Sequence, residues 1–183
     1  MADIHYLALL RGINVGGNNI IKMADLKACF EALGLTDVAT YIQSGNVIFK
    51  SGEKNRGTLT KKIEAGLTKR FGYDARLVII THQQLKQTVE EAPSGFGNAP
   101  SECKYDVIFL KEPLTPDEAM KHVRTKEGVD TAHAGKDAIY FSRRISAGSS
   151  SELTKLIGTP VYQSMTIRNW NTTTKLLALM EKQ

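Results

Sequence analysis

Several protein classes are excluded by what the sequence lacks. It has two cysteines, Cys29 and Cys103, in a chain of 183 residues. Two thiols so far apart cannot build a disulfide framework, and they point to a reducing, cytoplasmic setting. Long hydrophobic runs are missing. The longest, Tyr6 to Leu10 and Leu77 to Ile80, are far shorter than the ~20 apolar residues that span a bilayer, so no membrane partner is expected. The first residues lack the charged, then apolar, then small pattern of a secretory signal. The four histidines, His5, His82, His122 and His133, include no pair at zinc-ligand spacing, so no metal and no cofactor are expected. The glycines Gly12, Gly16 and Gly17 follow a strand pattern and precede a helix, but they form neither a dinucleotide fingerprint nor a P-loop, which needs a lysine at the helix start. Ser44-Gly45 lacks the preceding glycine of a nucleophile elbow. No polybasic block is present. The net charge of +5 is spread over a mixed-charge surface.

What remains is ordinary globular composition, with 42% hydrophobic and 23% charged residues. Ile4–Arg11 reads as a strand, and Gly12 to Asn19 as a loop. Met23, Leu26, Phe30 and Leu33 recur at helical spacing, with Gly34 placed to end the helix. Asp37–Gln43 and Val47–Lys50 flank Ser44-Gly45-Asn46 as a hairpin. Leu59, Ile63, Leu67 and Phe71 mark a second helix, and Arg76–Thr81 a further strand. The order is β-α-β-β-α-β, the split βαβ arrangement.

After a short helix at Gln83–Glu90, the stretch 93–103 has no periodicity and reads as a linker. The pattern then restarts. Tyr105–Leu110 is a strand, and Thr115-Pro116-Asp117-Glu118 is a capping box. Gly128–His133 and Ala138–Arg143 form a second hairpin. Ser149 to Glu152 caps a helix, Val161–Met165 is a short strand, and Leu176, Leu177 and Met180 line a C-terminal helix. The expected fold class is α+β: two ferredoxin-like (α-β plait) halves packed together, a duplication, with halves 1–92 and 104–183. Several strands are apolar on both faces, which predicts cover on both sides.

Two regions carry chemistry. In a β-α-β-β unit the first two strands run parallel, so the loop after the first and the hairpin after the second meet at one sheet edge. That edge gathers Arg11, Asn14, Gly16, Gly17 and Asn18 with Gln43, Ser44 and Asn46. Glycines let backbone N–H groups turn toward a ligand, and such nests take anions. The same residue types also make good turns, so a purely architectural role stands beside the binding role. The second region is 166–175. Asn169 is a helix N-cap candidate, and Arg168, Thr172 and Lys175 would surround an anion there. Trp170, the one tryptophan, is either a core anchor or a stacking platform beside that anion.

Together, Arg11-Gly12-Ile13-Asn14-Val15-Gly16-Gly17, Met23-Ala24-Asp25-Leu26, Ile42-Gln43-Ser44-Gly45-Asn46-Val47 and Arg168-Asn169-Trp170-Asn171-Thr172 resemble the bacterial family called domain of unknown function 1697. The resemblance spans nearly the whole chain. It implies two ferredoxin-like halves in a small bacterial cytoplasmic protein, and no activity, cofactor or catalytic residue. The family often has lysine after the paired glycines, where this chain has Asn18. The expected function is binding of a phosphate-bearing small molecule or nucleic acid. The alternatives are a small enzyme acting on a phosphorylated substrate and a protein-interaction module. Stacking of RNA bases on an open sheet is disfavoured, because the third strand lacks the aromatic run that such domains use.

Overall fold

The computed structural model describes residues 3–182. The chain divides into two compact units, Met1–His82 and Gln83–Gln183.

In the first unit, β1 (Ile4–Leu10), α1 (Met23–Ala32), β2 (Thr36–Tyr41), β3 (Asn46–Ser51), α2 (Arg56–Phe71) and β4 (Leu77–Thr81) follow in sequence. The strands form an antiparallel sheet in the order β2-β3-β1-β4. Leu7 stands opposite Ile48 on one side and Ile80 on the other. Alternation sends Tyr6, Ala8 and Leu10 to one face, where Leu26 and Phe30 of α1 and Leu59, Ile63 and Leu67 of α2 cover them. The four-residue spacing along α2 is what makes that stripe. Asn55 caps α2, its side chain accepting from the Thr58 N–H at 3.0 Å. Gly72, left-handed at φ 71, closes the other end.

The second unit repeats the plan. It contains β5 (Cys103–Leu110), α4 (Pro116–Met120), β6 (Asp130–Ala134), β7 (Ala138–Arg144), α5 (Leu153–Ile157), β8 (Met165–Asn169) and α6 (Trp170–Met180), after α3 (His82–Glu90). Its antiparallel sheet runs β6-β7-β5-β8, the first unit's order shifted by four. Ile108, Leu110, Ile139, Phe141 and Met165 form one face, under Ala119 of α4 and Leu153 and Leu156 of α5. The Thr115–Glu118 capping box is complete. Asp130 is an anchor that hydrophobic patterning does not reveal. It accepts from the Ser151 hydroxyl at 2.6 Å, the Glu152 N–H at 2.9 Å and the Lys126 N–H at 3.0 Å, and so starts α5.

Two expectations change. The strand expected at Val161–Met165 is a 3-10 turn over Pro160–Ser164, and the strand lies at Met165–Asn169. Pro160 suits the first position of a helical turn, where no N–H is needed. The stretch 93–103, expected to be a bare linker, contributes packing: the Phe96 ring lies 5.0 Å from Tyr105, 5.4 Å from Tyr140 and 5.1 Å from Trp170.

Candidate functional site

The first unit brings its expected edge together. Asn14 Nδ2 donates to the Gln43 carbonyl at 2.9 Å and to the Ile21 carbonyl at 3.0 Å, and Asn14 Oδ1 accepts from the Ile21 N–H at 2.8 Å. Asn46, fully buried, donates to the Tyr41 carbonyl and to Ser44 Oγ. Gly16 (φ 58) and Gly17 (φ 77) sit between bridged Val15 and Asn18, the conformation of a tight I′ turn. Arg11 is half-buried, and its N–H donates to the Arg76 carbonyl. Asn14 therefore spends its amide on tying the loop to the hairpin, and Asn46 on closing the hairpin on itself. What the edge presents outward is partly apolar: Val15, Ile20 and Ile42 are exposed, and Ile42 sits at φ 48, which is strained for a β-branched residue.

In the second unit the expected residues separate. Arg168 lies on β8 opposite Val107, on the sheet face away from Asn169. It is buried, and its Nη1 donates to Thr166 Oγ1 and to the Ile167 carbonyl, both at 2.9 Å. Burial pulls its pKa down to about 10. Asn169 is the N-cap of α6, accepting from the Thr172 N–H at 2.8 Å. Thr172 is buried and Lys175 is exposed on the helix.

A cavity of about 380 Å³ opens beside Asn169 and Trp170. The ladder explains it. β8 pairs with β5 only from Asp106 to Leu110, and Asn169, opposite Asp106, is its last residue. The chain then turns into α6. This leaves Cys103, Lys104 and Tyr105 paired with β7 on one side and facing a notch on the other. Gly97, Pro100, Lys104, Asp106, Arg143, Asn169, Trp170 and Asn171 are among its lining residues, whereas Arg168, Thr172 and Lys175 are not. Lys104 stands directly across the ladder from Arg143, so the two share a face. Gly97 (φ 88) lies so close to Trp170 that a Cβ there would come within 2.4 Å of the indole Cδ1 and Nε1. Only glycine meets both demands.

Asp106 is the unusual group. It is 7% exposed, and its Oδ2 lies 3.3 Å from Arg143 Nη2 without a hydrogen bond. Burial raises its pKa, against the pull of Arg143 and Lys104. Arg143 Nε is likewise buried without a hydrogen bond. Arg143 flanks this carboxyl group, Lys104 stands two residues along the same strand, and the start of α6 and the half-buried indole line the same notch. The helix start adds a partial positive charge, because its first N–H groups have no acceptor within the helix. Of the lining residues, Asn169 and Trp170 are candidates from the sequence, whereas Lys104, Asp106 and Arg143 are not, because their meeting depends on strand register. Among the described residues, no three His, Cys, Asp or Glu side chains gather as a metal site would need. No described helix is long and apolar enough to cross a membrane.

A solved structure described as "conserved bacterial protein SP0830 from Streptococcus pneumoniae" is similar over 98% of this chain and 99% of that one, at 26% identity and a TM-score of 0.84. Comparison with curated proteins finds no match. The model of the family described as "Protein of unknown function (DUF1697)" matches residues 4–140, most of the chain, and the protein belongs to that family.

Proposed function

We propose that this protein binds a phosphate-bearing small molecule in the notch of its second unit. The observation that carries the reading is the meeting of Lys104, Arg143, the N-terminus of α6 and Trp170 around one cavity of about 380 Å³. Lys104 and Arg143 supply charge, the start of α6, whose Thr172 N–H is taken by Asn169, adds the partial positive charge of a helix terminus, and the indole borders the ligand's organic part. The first-unit edge supports binding less, because Asn14 and Asn46 already satisfy backbone groups there.

We also infer that each unit is a ferredoxin-like plait and that the two arose by duplication. Strand order β2-β3-β1-β4 recurring as β6-β7-β5-β8 supports this. A cytoplasmic setting fits the two free cysteines.

Thermal unfolding with sugar phosphates tests the binding. At ~100 times its dissociation constant a ligand adds about 2.7 kcal/mol. For a chain of this size that is a rise in Tm of roughly 5–10 °C. Lys104→Ala should remove most of the rise. A rise that Lys104→Ala leaves intact, or none with any phosphate ester, counts against the notch.

A further inference from the structure

One oxygen of the Asp106 carboxyl, Oδ2, lacks the hydrogen bond that buried acids normally have. The residue is 7% exposed, and Arg143 Nη2 lies 3.3 Å from Oδ2. That contact is not a hydrogen bond, and neither Asp106 Oδ2 nor Arg143 Nε has one among the described residues. Folded proteins satisfy nearly all buried polar groups, because an unmet one forfeits its hydration with nothing in return. Both residues line the notch.

The geometry sets the spacing of what could satisfy them. Lys104 and Asp106 are two residues apart on β5, hence on one face and about 7 Å apart along the strand. A phosphate held at the Lys104 end of the notch lies about 7 Å along the strand from Asp106, which stands opposite Asn169, so another part of the same ligand meets the carboxyl. The cavity of about 380 Å³ also exceeds what a bare phosphate fills. A carboxyl in that position accepts hydrogen bonds, so it selects a group that donates them.

Resting on the proposed phosphate binding, we infer that the ligand is a phosphate monoester of a polyhydroxylated, sugar-like molecule, with Asp106 accepting a hydrogen bond from one of its hydroxyls. Asp106 is then the specificity-determining residue. Lys104 holds the phosphate, and Trp170, which lines the same notch, borders the rest of the ligand.

Calorimetric titration of the full chain with ribose 5-phosphate, ethyl phosphate and inorganic phosphate tests this. A hydrogen bond to a charged acceptor predicts that wild type binds ribose 5-phosphate at least about ten-fold more tightly than ethyl phosphate. In Asp106→Ala that preference should shrink to within about two-fold, with ethyl phosphate still bound. The wild-type comparison stands alone if the variant does not fold. If ethyl phosphate binds as tightly as the sugar ester, or Asp106→Ala keeps the preference, the inference about Asp106 is wrong while phosphate binding survives. If none of the three binds, both readings fall.

Discussion

Asn14 is the clearest place to separate a residue that builds a loop from one that serves a ligand. Its side chain makes three hydrogen bonds, two donated to the carbonyls of Ile21 and Gln43 and one accepted from the Ile21 N–H. Its backbone sits at φ 52, in the left-handed region. Asn14→Ala removes all three bonds and places a residue that tolerates φ > 0 poorly. At ~1 kcal/mol per net hydrogen bond, less for the exposed one, and ~1 kcal/mol for the backbone, the cost is about 3 kcal/mol. That lowers Tm by roughly 6–12 °C. Asn14→Gly relieves the backbone and keeps the hydrogen-bond loss, so it should recover about a third of the deficit. Asn14→Asp should be no better than Ala, since a carboxylate would face two carbonyl oxygens. Thermal and urea unfolding of the three variants gives the series. An Asn14→Ala protein as stable as wild type would refute the reasoning and return Asn14 to the ligand-binding candidates.

Other outcomes follow from the second unit. Gly97→Ala drives a Cβ to 2.4 Å from the Trp170 ring at φ 88, so the indole must move. Tm should fall by several degrees and the tryptophan emission should shift; an unchanged spectrum would mean that the indole is not held by this contact. Burial raises the Asp106 pKa, so the folded state keeps this proton more tightly than the unfolded state. Its effect is absent below the ordinary aspartate range. Stability is then lost as pH rises through the interval up to the raised value. The Tm of Asp106→Asn should therefore gain on wild type as pH rises above the ordinary aspartate range, and a pH-independent difference would contradict the assignment. Arg168→Ala breaks buried hydrogen bonds to Thr166 Oγ1 and the Ile167 carbonyl. It should cost about 1–3 kcal/mol while leaving phosphate-ester affinity within about two-fold, and a selective loss of affinity would place Arg168 in the site.

Much of the architecture was legible because its causes are local. The α2 stripe, the Thr115 capping box, the Asn169 cap and both hairpins are written in spacings of two to four residues. So was the meeting of 11–18 with 43–46, which follows from strand direction alone. Strand β8 was harder. Thr166, Arg168 and Asn169 look like loop residues, yet they pair at the sheet edge, where polar side chains are tolerated. That register decides which face Arg168 takes, and so removes it from the expected anion site. The notch was illegible for the same reason. Lys104 and Arg143 meet only because β5 and β7 pair in one register, and the notch opens only because β8 stops at Asn169. Gly97 and Phe96 looked like linker residues, since nothing local marks them as partners of Trp170.

The chain has one tryptophan, and it lines the proposed site, which makes its emission a private reporter. The most direct test is a fluorescence titration of the full chain with ribose 5-phosphate, repeated on Lys104→Ala and on Arg168→Ala at matched ionic strength. The account predicts a saturable change in wild type and Arg168→Ala that is strongly weakened in Lys104→Ala. No saturable change in wild type, or one that Lys104→Ala leaves untouched, would contradict a phosphate-ester site in this notch.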